Sequence, residues 1–465
     1  MMERTLVLNV VGLTPSLLGK ATPHLSALAK RGGVRPLRPV LPAVTSSVQS
    51  TFLTGLPPSG HGCVANGWYC RESAEVRFWR QANQLVAGEK LWEAAKRRDP
   101  AFTCATLFWW FNMYSTADYT VTPRPMYPAD GRKIPDLYTQ PSDLREELTK
   151  RLGMFPLFEF WGPAAGLASS RWIADCARYL NETRRPTLTL VYLPHLDYNL
   201  QRLGSDDPGL EKDLTEIDAL CGLLIEQHQG DRIVVLSEYG IMPVTGPVHI
   251  NRALREARWL KVRSELGREL LDAGASDAFA VADHQIAHVY VKDRSLIAAV
   301  RELVQKLDGV ELVLDRDGQR TWGLDHDRSG DLVAVAEPDR WFTYYYWLDD
   351  RVAPDFARTV DIHRKPGYDP VELFLDPALR FPKARIGWRL LQKHLGLRYL
   401  MDVIPLDAGL VKGSHGRVGK DTATGPLVIS SEPSLLPDRP LHAPEVKDLL
   451  LAHLFEPRRS RPHYS

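Results

Sequence analysis

The sequence has few cysteines, and none of them forms the pairs typical of disulfide frameworks or metal ribbons. Five occur among 465 residues, an odd number without any Cys-x-x-Cys spacing. This excludes a small disulfide-stabilised scaffold and a zinc ribbon, and reduced thiols are typical of a cytoplasmic protein. We therefore expect a cytoplasmic location. The cysteines are Cys63, Cys70, Cys104, Cys176 and Cys221.

An excess of charge of one sign is also missing. The 58 basic residues are balanced by 57 acidic ones, for a net charge of +1. A balanced chain lacks the basic footprint of a nucleic-acid-binding protein, so we expect no such partner. The basic run at residues 458–461 is short and predicts a solvated terminus.

Long hydrophobic runs are absent as well. No stretch approaches the roughly 18 apolar residues that a membrane span needs, so no span is expected. The apolar run that ends at Val11 is too short for a signal peptide and predicts a strand. The sequence leaves the oligomeric state open.

The sequence does contain buried strands that alternate with helical segments. Leu6 to Val11, Thr187 to Leu193 and Ile233 to Leu236 are largely apolar, as in strands covered on both faces. Helical periodicity runs from Gly209 to Gln227. This alternation predicts an α/β fold with a mostly parallel central sheet flanked by helices. A chain that is 44% hydrophobic can bury one large core.

Aromatic residues crowd the stretch from 68 to 172, which includes FWWFNMY from Phe108 to Tyr114. We expect this stretch to be an inserted cap over the edge of the sheet. The catalytic domain would then span residues 1–425 and a C-terminal extension residues 426–465. Most of the rings are expected to pack in the core, and a few to face a ligand.

The segment from Leu41 to Tyr69, LPAVTSSVQSTFLTGLPPSGHGCVANGWY, contains the densest set of signals. Thr45 precedes a helix-compatible run that ends at Gly55. A hydroxyl at a helix N-terminus can hold or attack a phosphate, because backbone N–H groups and the helix dipole favour an anion there. The alternative is that Thr45 or Ser46 is only an N-cap.

This segment resembles the nucleophile segment of the alkaline phosphatase superfamily, in its nucleotide pyrophosphatase/phosphodiesterase branch. The similarity lies in Pro42, Thr45, Thr54-Gly55, His61-Gly62 and Asn66, in that order. The resemblance implies an alkaline phosphatase-like fold. It also implies that Thr45 is the nucleophile and that Asn66 donates a hydrogen bond to the phosphoryl oxygen.

Two acidic residues follow predicted strands, where α/β proteins bind ligands. Asp197 and Glu238 occupy these positions, and His415 lies in a turn flanked by glycines. Carboxylates and imidazoles suit zinc or manganese. Singly, each of the three residues fits a turn, surface or loop role equally well.

The resemblance also implies metal ligands. Asp197 and His415 match the ligands of one ion, and Gln201 stands where the family has a histidine between them. Glu238 and Tyr239 stand where the family has an Asp-His pair on a second ion, and Val11 replaces an aspartate of the first strand. These departures imply one or two divalent ions, with a second site that is absent or rebuilt.

Spare residues could rebuild such a site. Asp283 and His284 are adjacent, and His363 follows Asp361 by two residues, which would put both on one face of an extended strand. Each of these residues is also common in purely structural roles.

We expect a metal-dependent hydrolase that cleaves a phosphodiester or pyrophosphate in a small-molecule phosphate ester through a phospho-threonine. A non-catalytic binding protein with a degenerate metal site is the alternative from another class. A transferase with an alcohol acceptor is a third.

Overall fold

The computed structural model describes residues 2–457. In chain order, the helices are α1 (Pro23–Arg31), α2 (Thr45–Thr54), α3 (Pro58–His61), α4 (Leu91–Arg98), α5 (Leu144–Leu152), α6 (Leu167–Thr183), α7 (His195–Leu203), α8 (Leu210–Gln227), α9 (Ile250–Glu256), α10 (Ile297–Gln305), α11 (Arg316–Thr321), α12 (Pro382–His394) and α13 (Val446–Phe455). The strands are β1 (Thr5–Val10), β2 (Gly33–Arg38), β3 (Gly67–Cys70), β4 (Glu75–Phe78), β5 (Cys104–Leu107), β6 (Tyr119–Pro123), β7 (Leu137–Gln140), β8 (Leu188–Leu193), β9 (Arg232–Leu236), β10 (Met242–Pro243), β11 (Gly246–Val248), β12 (Val262–Glu265), β13 (Arg268–Leu271), β14 (Ala278–Asp283), β15 (Ile286–Val291), β16 (Val310–Leu314), β17 (Leu332–Ala336), β18 (Arg340–Phe342), β19 (Gly413–Ser414), β20 (Leu427–Ser430) and β21 (Leu441–His442).

A nine-stranded sheet, ordered β21-β2-β20-β9-β1-β8-β5-β6-β7, forms the centre of the main unit. The run β9-β1-β8-β5-β6 is parallel throughout. Every residue of β1 and β8 is buried, because helices cover both faces of a parallel sheet. The predicted α/β fold with a mostly parallel central sheet is confirmed.

The carboxyl ends of the three central strands lie side by side. Asn9 of β1 is in register with Tyr192 of β8 and with Leu236 of β9. Asp197, in the first turn of α7, and Glu238, in the loop after β9, therefore lie at the same edge of the sheet, as the sequence predicted.

A second unit, residues 244–412, is inserted between β10 and β19, which pair with each other. It contains the antiparallel sheet β14-β15-β17-β16. A second hydrophobic core lies here, and the aromatic run from Trp341 to Trp347 is almost entirely buried in it. The second unit is thus the layer that stands over the edge of the main sheet.

The segments expected to form an inserted cap and a C-terminal extension both contribute strands to the main sheet. Residues 68–172 supply β5, β6 and β7 to the main sheet, and their Phe108, Phe155 and Trp172 pack in its core. Residues from 426 onward supply β20, β21 and α13 to the main unit. β5 and β7 have four residues each, which is too short to show a clear periodicity in the sequence. The density of aromatic residues was therefore the only visible signal in this stretch. It reflects packing in the core of the main unit. The basic run at 458–461 lies outside the described residues.

No helix among residues 2–457 combines the length and the apolar character needed to cross a membrane.

Candidate active site

Thr45 begins α2 at the edge of the main sheet. Val44 holds the N-cap position with extended backbone and makes no side-chain cap, so the hydroxyl of Thr45 does not serve as the cap. Thr45 is 4% exposed, and its Oγ1 lies 3.0 Å from the hydroxyl oxygen of Tyr239. This hydroxyl sits at the positive end of a helix dipole, where an anion is favoured.

Asn66 connects α2 to the second unit. Its Oδ1 accepts a hydrogen bond from the backbone N–H of Ser46 at 2.9 Å. Its own backbone N–H and its Nδ2 donate to the two carboxylate oxygens of Asp283, at 2.7 and 3.1 Å. The backbone N–H of Ser46, which would face a phosphoryl oxygen, is therefore already bound by the side chain of Asn66.

Glu238 lies fully buried just beyond β9. Its Oε1 accepts hydrogen bonds from Asn9 and from Gln49, both at 2.6 Å, while its Oε2 has no hydrogen-bond partner. Burial raises the pKa of this carboxyl to about 8, and the two amide donors pull the pKa in the opposite direction.

Asp197 occupies the first turn of α7, after β8. Gln201, one turn later, donates from Nε2 to its Oδ2 at 2.8 Å, whereas Oδ1 is buried and has no hydrogen-bond partner. Burial raises the pKa of Asp197 to about 7 against the opposing effect of Gln201 and Tyr239. An amide thus holds the position that the resemblance assigned to a histidine.

A column of four rings runs from the main unit into the second unit. Tyr239 stacks on His415 with centroids 3.5 Å apart and planes 7° apart. His415 lies 3.7 Å from His284, which lies 3.6 Å from Tyr368. Burial lowers the pKa of both imidazoles below the usual range, so both rings are neutral near pH 7. Asp283 bonds to Nδ1 of His284 at 2.8 Å, and Nε2 of that ring has no hydrogen-bond partner.

These contacts form one connected network that contains all but one of the predicted site residues. The exception is His363, which lies exposed in a turn of the second unit rather than on a strand. The extended conformation expected for residues 359–363 is therefore not formed, and Asp361 starts that turn.

Three further polar residues complete the network, and two of them, Gln49 and Tyr368, were not predicted. Gln49 bonds Glu238 through Nε2 and accepts the backbone N–H of Trp110 at 2.8 Å. Asn9 contacts Glu238 from β1, and Tyr368 donates to Oε1 of Gln201 at 3.0 Å. For Gln49, the available signal was a lone amide within a buried helix, since such groups require partners. Tyr368 lies outside the helices and strands, so no such pattern marks it.

The donor set does not fit the two ions that the resemblance implies. Val11 is fully buried and apolar, and Tyr239 replaces an imidazole. Among residues 2–457, the predicted ligands Asp197, Glu238 and His415 do not form a group whose ligand atoms all lie within 4.8 Å of one another. Oδ1 of Asp197 and Oε2 of Glu238 are the carboxylate oxygens of these residues that have no hydrogen-bond partner, and carboxylate oxygens are ligands for divalent ions.

Comparisons with known proteins agree with this architecture. The family profile described as type I phosphodiesterase / nucleotide pyrophosphatase matches residues 5–369. An uncharacterized pyrophosphatase/phosphodiesterase of Schizosaccharomyces pombe is 28% identical over 237 residues, which are 48% of this chain and 41% of that protein. The match thus spans about two fifths of the length of that relative.

Solved structures with the same fold cover almost the whole chain. Phosphonoacetate hydrolase from Sinorhizobium meliloti, in complex with phosphonoformate, superposes with a TM-score of 0.62 at 16% identity, covering 97% of this chain and 96% of that one. Murine ectonucleotide pyrophosphatase/phosphodiesterase 5, an inactive variant in complex with AMP, gives 0.58 at 12% identity, covering 97% and 94%. At these identities the likeness shows the fold alone.

Proposed function

We infer the function from one premise: this chain belongs to the type I phosphodiesterase / nucleotide pyrophosphatase family, within the alkaline phosphatase superfamily. We propose that it is a phosphoryl-transfer hydrolase that cleaves a phosphodiester or pyrophosphate bond in a small-molecule phosphate ester. Thr45 is the proposed nucleophile.

The observation that carries the proposal is the setting of the Thr45 hydroxyl. It begins a buried helix, it is not used as a cap, and it lies 3.0 Å from Tyr239. The buried carboxyls of Glu238 and Asp197 each leave one oxygen without a hydrogen-bond partner. A purely structural threonine does not need two incompletely satisfied carboxyls beside it, because such groups destabilise a fold.

The chemistry follows from these positions. Oγ1 of Thr45 forms a bond to phosphorus while the bond from phosphorus to the leaving oxygen breaks, and the hydroxyl proton passes to solvent water. Water then cleaves the phospho-threonine and restores the hydroxyl. The N–H of Ser46 stabilises the charge that develops on the phosphoryl oxygen, once Asn66 has turned away from it.

A divalent ion, zinc or manganese, would be held by Asp197 and Glu238 and would neutralise phosphoryl charge when bound. His415 donates from Nδ1 to the carbonyl oxygen of Ala43 at 2.8 Å, which leaves its Nε2 as the ring nitrogen that would bind an ion. Its neutral ring also stacks on Tyr239.

The test is the turnover of a generic aryl phosphodiester in the presence of manganese or zinc. Thr45→Ala should reduce turnover by about three orders of magnitude or more, the scale for loss of a catalytic nucleophile. Thr45→Ser should retain part of it. Thr54→Ala is the matched control, because its hydroxyl bonds the carbonyl oxygen of Ser50 at the other end of α2. Near-normal turnover by Thr45→Ala would exclude the proposal, and mass spectrometry of quenched reactions should locate the phosphoryl group on Thr45.

One observation favours the alternative, a protein that binds phosphate esters without cleaving them. Asn66 and Asp283 occupy the donors that a phosphoryl oxygen needs, and a valine and a tyrosine replace two of the family's ligands. Saturable binding of a nucleotide, with no turnover in any divalent metal, would establish this function instead.

The proposed location is the cytoplasm. It is supported by the five free cysteines, four of which are buried.

A further inference from the structure

We propose a second metal site, separate from the candidate active site, where α7 packs on α8. Its ligands are His195 of α7 with Asp213 and Glu216 of α8. Their ligand atoms all lie within 4.8 Å of one another, and they are the only group of three or more His, Cys, Asp or Glu residues with this property in the described part of the chain. The ion that fits is a divalent transition metal of the zinc class, because one imidazole nitrogen and two carboxylate oxygens supply the ligands.

The distances agree with shared coordination. Nε2 of His195 lies 3.4 Å from Oδ1 of Asp213 and 3.3 Å from Oε2 of Glu216. Two ligands about 2.1 Å from a tetrahedral zinc ion are about 3.4 Å apart. A charge-assisted hydrogen bond is shorter, about 2.7–2.9 Å. One nitrogen nearly equidistant from two carboxylates is what an ion between all three atoms produces.

His195 provides an independent indication of a ligand. The residue is 3% exposed, and neither of its ring nitrogens has a hydrogen-bond partner. Its Nε2 nevertheless points at the two carboxylates. A buried imidazole without hydrogen bonds is costly to the fold unless a ligand satisfies it.

The surroundings suit three protein ligands and a water molecule. Asn199 donates from Nδ2 to the other oxygen of Asp213 at 2.6 Å, which fixes the orientation of that carboxylate as outer partners of metal ligands do. The side chain of Glu216 is 30% exposed, so solvent reaches the site.

The site faces away from the nucleophile. His195 and Asp197 are two residues apart on α7, and two helical steps rotate a side chain by about 200°. Asp197 therefore points to Thr45 and its neighbours, while His195 points to α8. An ion here would fasten α7 to α8 and so hold Asp197 in position.

The experiment measures zinc binding by purified full-length protein through calorimetry and elemental analysis. Glu216→Gln and His195→Gln should each weaken one zinc site by at least about tenfold, the lower end of what even outer partners contribute. Glu211→Gln is the matched control, because it removes the same charge from an exposed position of α8 and should bind zinc as the wild type does. Thr45→Ala should also retain this site.

Zinc should raise the thermal unfolding midpoint of the wild type by more than that of Glu216→Gln, which keeps only the proposed active-site ion. Glu216 is partly exposed, so this variant should fold even if His195→Gln does not. Zinc binding by Glu216→Gln at wild-type affinity, with the same stabilisation, would overturn the proposal and leave an ion pair only.

A different observation supports a second proposal, which concerns α12. We infer that this helix docks on a membrane surface that contains anionic lipids. Trp388, Leu391 and Leu395 are 57%, 45% and 61% exposed, and their spacing puts them on one face. Phe381 and Leu397 at its ends are 66% and 55% exposed.

The charge of the segment around α12 indicates which kind of surface this helix binds. Residues 377–401 contain six lysines and arginines and no aspartate or glutamate, and Asp402 neutralises only one of these charges. An apolar stripe flanked by basic residues is typical of helices that lie in the interface of anionic bilayers. A self-complementary contact between two copies would bring these positive charges together.

Flotation with vesicles tests this. The wild type should bind phosphatidylcholine vesicles that contain phosphatidylglycerol but not pure phosphatidylcholine. Trp388→Ser should reduce binding several-fold, whereas Trp322→Ser, a control at another exposed tryptophan, should not. Absence of binding to anionic vesicles would overturn the proposal, and so would a solution dimer that Trp388→Ser dissociates, since the helix would then be covered by a second copy.

Discussion

At the scale of single residues, one amide replaces an imidazole expected around the proposed ion. Gln201 fills the position of a family histidine and donates to Asp197, and its Oε1 accepts from Tyr368. An amide nitrogen is a donor and cannot ligate a metal, whereas the corresponding imidazole nitrogen can. The affinity of this site for a metal is therefore limited by one side chain.

Gln201→His should raise the affinity for zinc in the active site by about tenfold or more, since it adds a third ligand to a site that needs three or four. The similar size of the two side chains should keep the packing. Titration calorimetry in the Glu216→Gln background isolates this site, and Gln201→Leu is the control without a donor. Equal zinc affinity of the histidine and leucine variants would contradict the prediction.

His453 of α13 makes stability depend on pH. Its Nε2 contacts Oγ of Ser430 at 2.7 Å, its Nδ1 donates to the carbonyl oxygen of Leu449 at 2.8 Å, and the residue is fully buried. Burial lowers its pKa to about 4, from an ordinary value of 6.5, and the charge of Arg232 adds to this. The unfolded chain thus binds a proton between pH 6.5 and 4 that the folded protein does not, so the free energy of unfolding falls as the pH falls through this window.

The contribution of His453 across this window is about 3 kcal/mol, because a tenfold change in proton affinity corresponds to about 1.36 kcal/mol. His453→Gln should flatten the pH dependence of the unfolding free energy by about this amount, measured by urea denaturation at several pH values. Parallel profiles for variant and wild type would show that the proton binds elsewhere.

At the scale of elements, Gly55 determines where α2 ends. Gly55 follows its last residue with φ of 72°, in the left-handed region, and its N–H donates to the carbonyl oxygen of Thr51. A Cβ there would lie 3.4 Å from the carbonyl oxygen of Pro444. Glycine is therefore required at this position by backbone conformation.

Gly55→Ala should lower the unfolding free energy by about 1–2 kcal/mol, the cost of a left-handed conformation with a Cβ. Gly19→Ala is the control, because its added Cβ would meet nothing within 4 Å. Chemical denaturation of both variants provides the measurement, and equal stability of the two would contradict the argument.

At the scale of the whole molecule, the active site exists only while the two units are joined. Arg328 of the second unit donates to the carbonyl oxygens of Gly62 and Leu85 in the main unit, at 2.9 and 2.7 Å, and lies over the ring of Trp68. One guanidinium therefore satisfies two carbonyls across the boundary.

Arg328→Ala should lower the unfolding free energy by about 2–3 kcal/mol, because two backbone acceptors lose a charged donor. Arg320→Ala, which removes an exposed guanidinium from the same unit, should change it by less than about 1 kcal/mol. Thermal and urea denaturation measure the stability of both variants. A loss of similar size in Arg328→Ala and Arg320→Ala would show that Arg328 does not stabilise the contact between the two units.

The sequence predicted the features that local pattern encodes. The buried strands β1, β8 and β9 and the start of α2 at Thr45 were predicted because apolar runs and turn residues are contiguous signals. The position of the second unit was not, since the way β14 to β17 pair into a separate sheet depends on contacts between segments distant in sequence. The contact of Asp283 with Asn66 joins residues 217 positions apart, and no local pattern reports such a pairing.

The contact between His415 and Ala43 joins residues 372 positions apart. During synthesis, Thr45 thus leaves the ribosome long before the imidazole beneath Tyr239 has been translated. The N-terminal segment can form β1 and α2 early, because local contacts form fast, but contacts that close a long loop form late. A ribosome-bound nascent chain that ends before residue 415 therefore holds Thr45, the proposed nucleophile, in an incomplete pocket, and the proposed activity requires the segment around residue 415 to pack against the N-terminal segment.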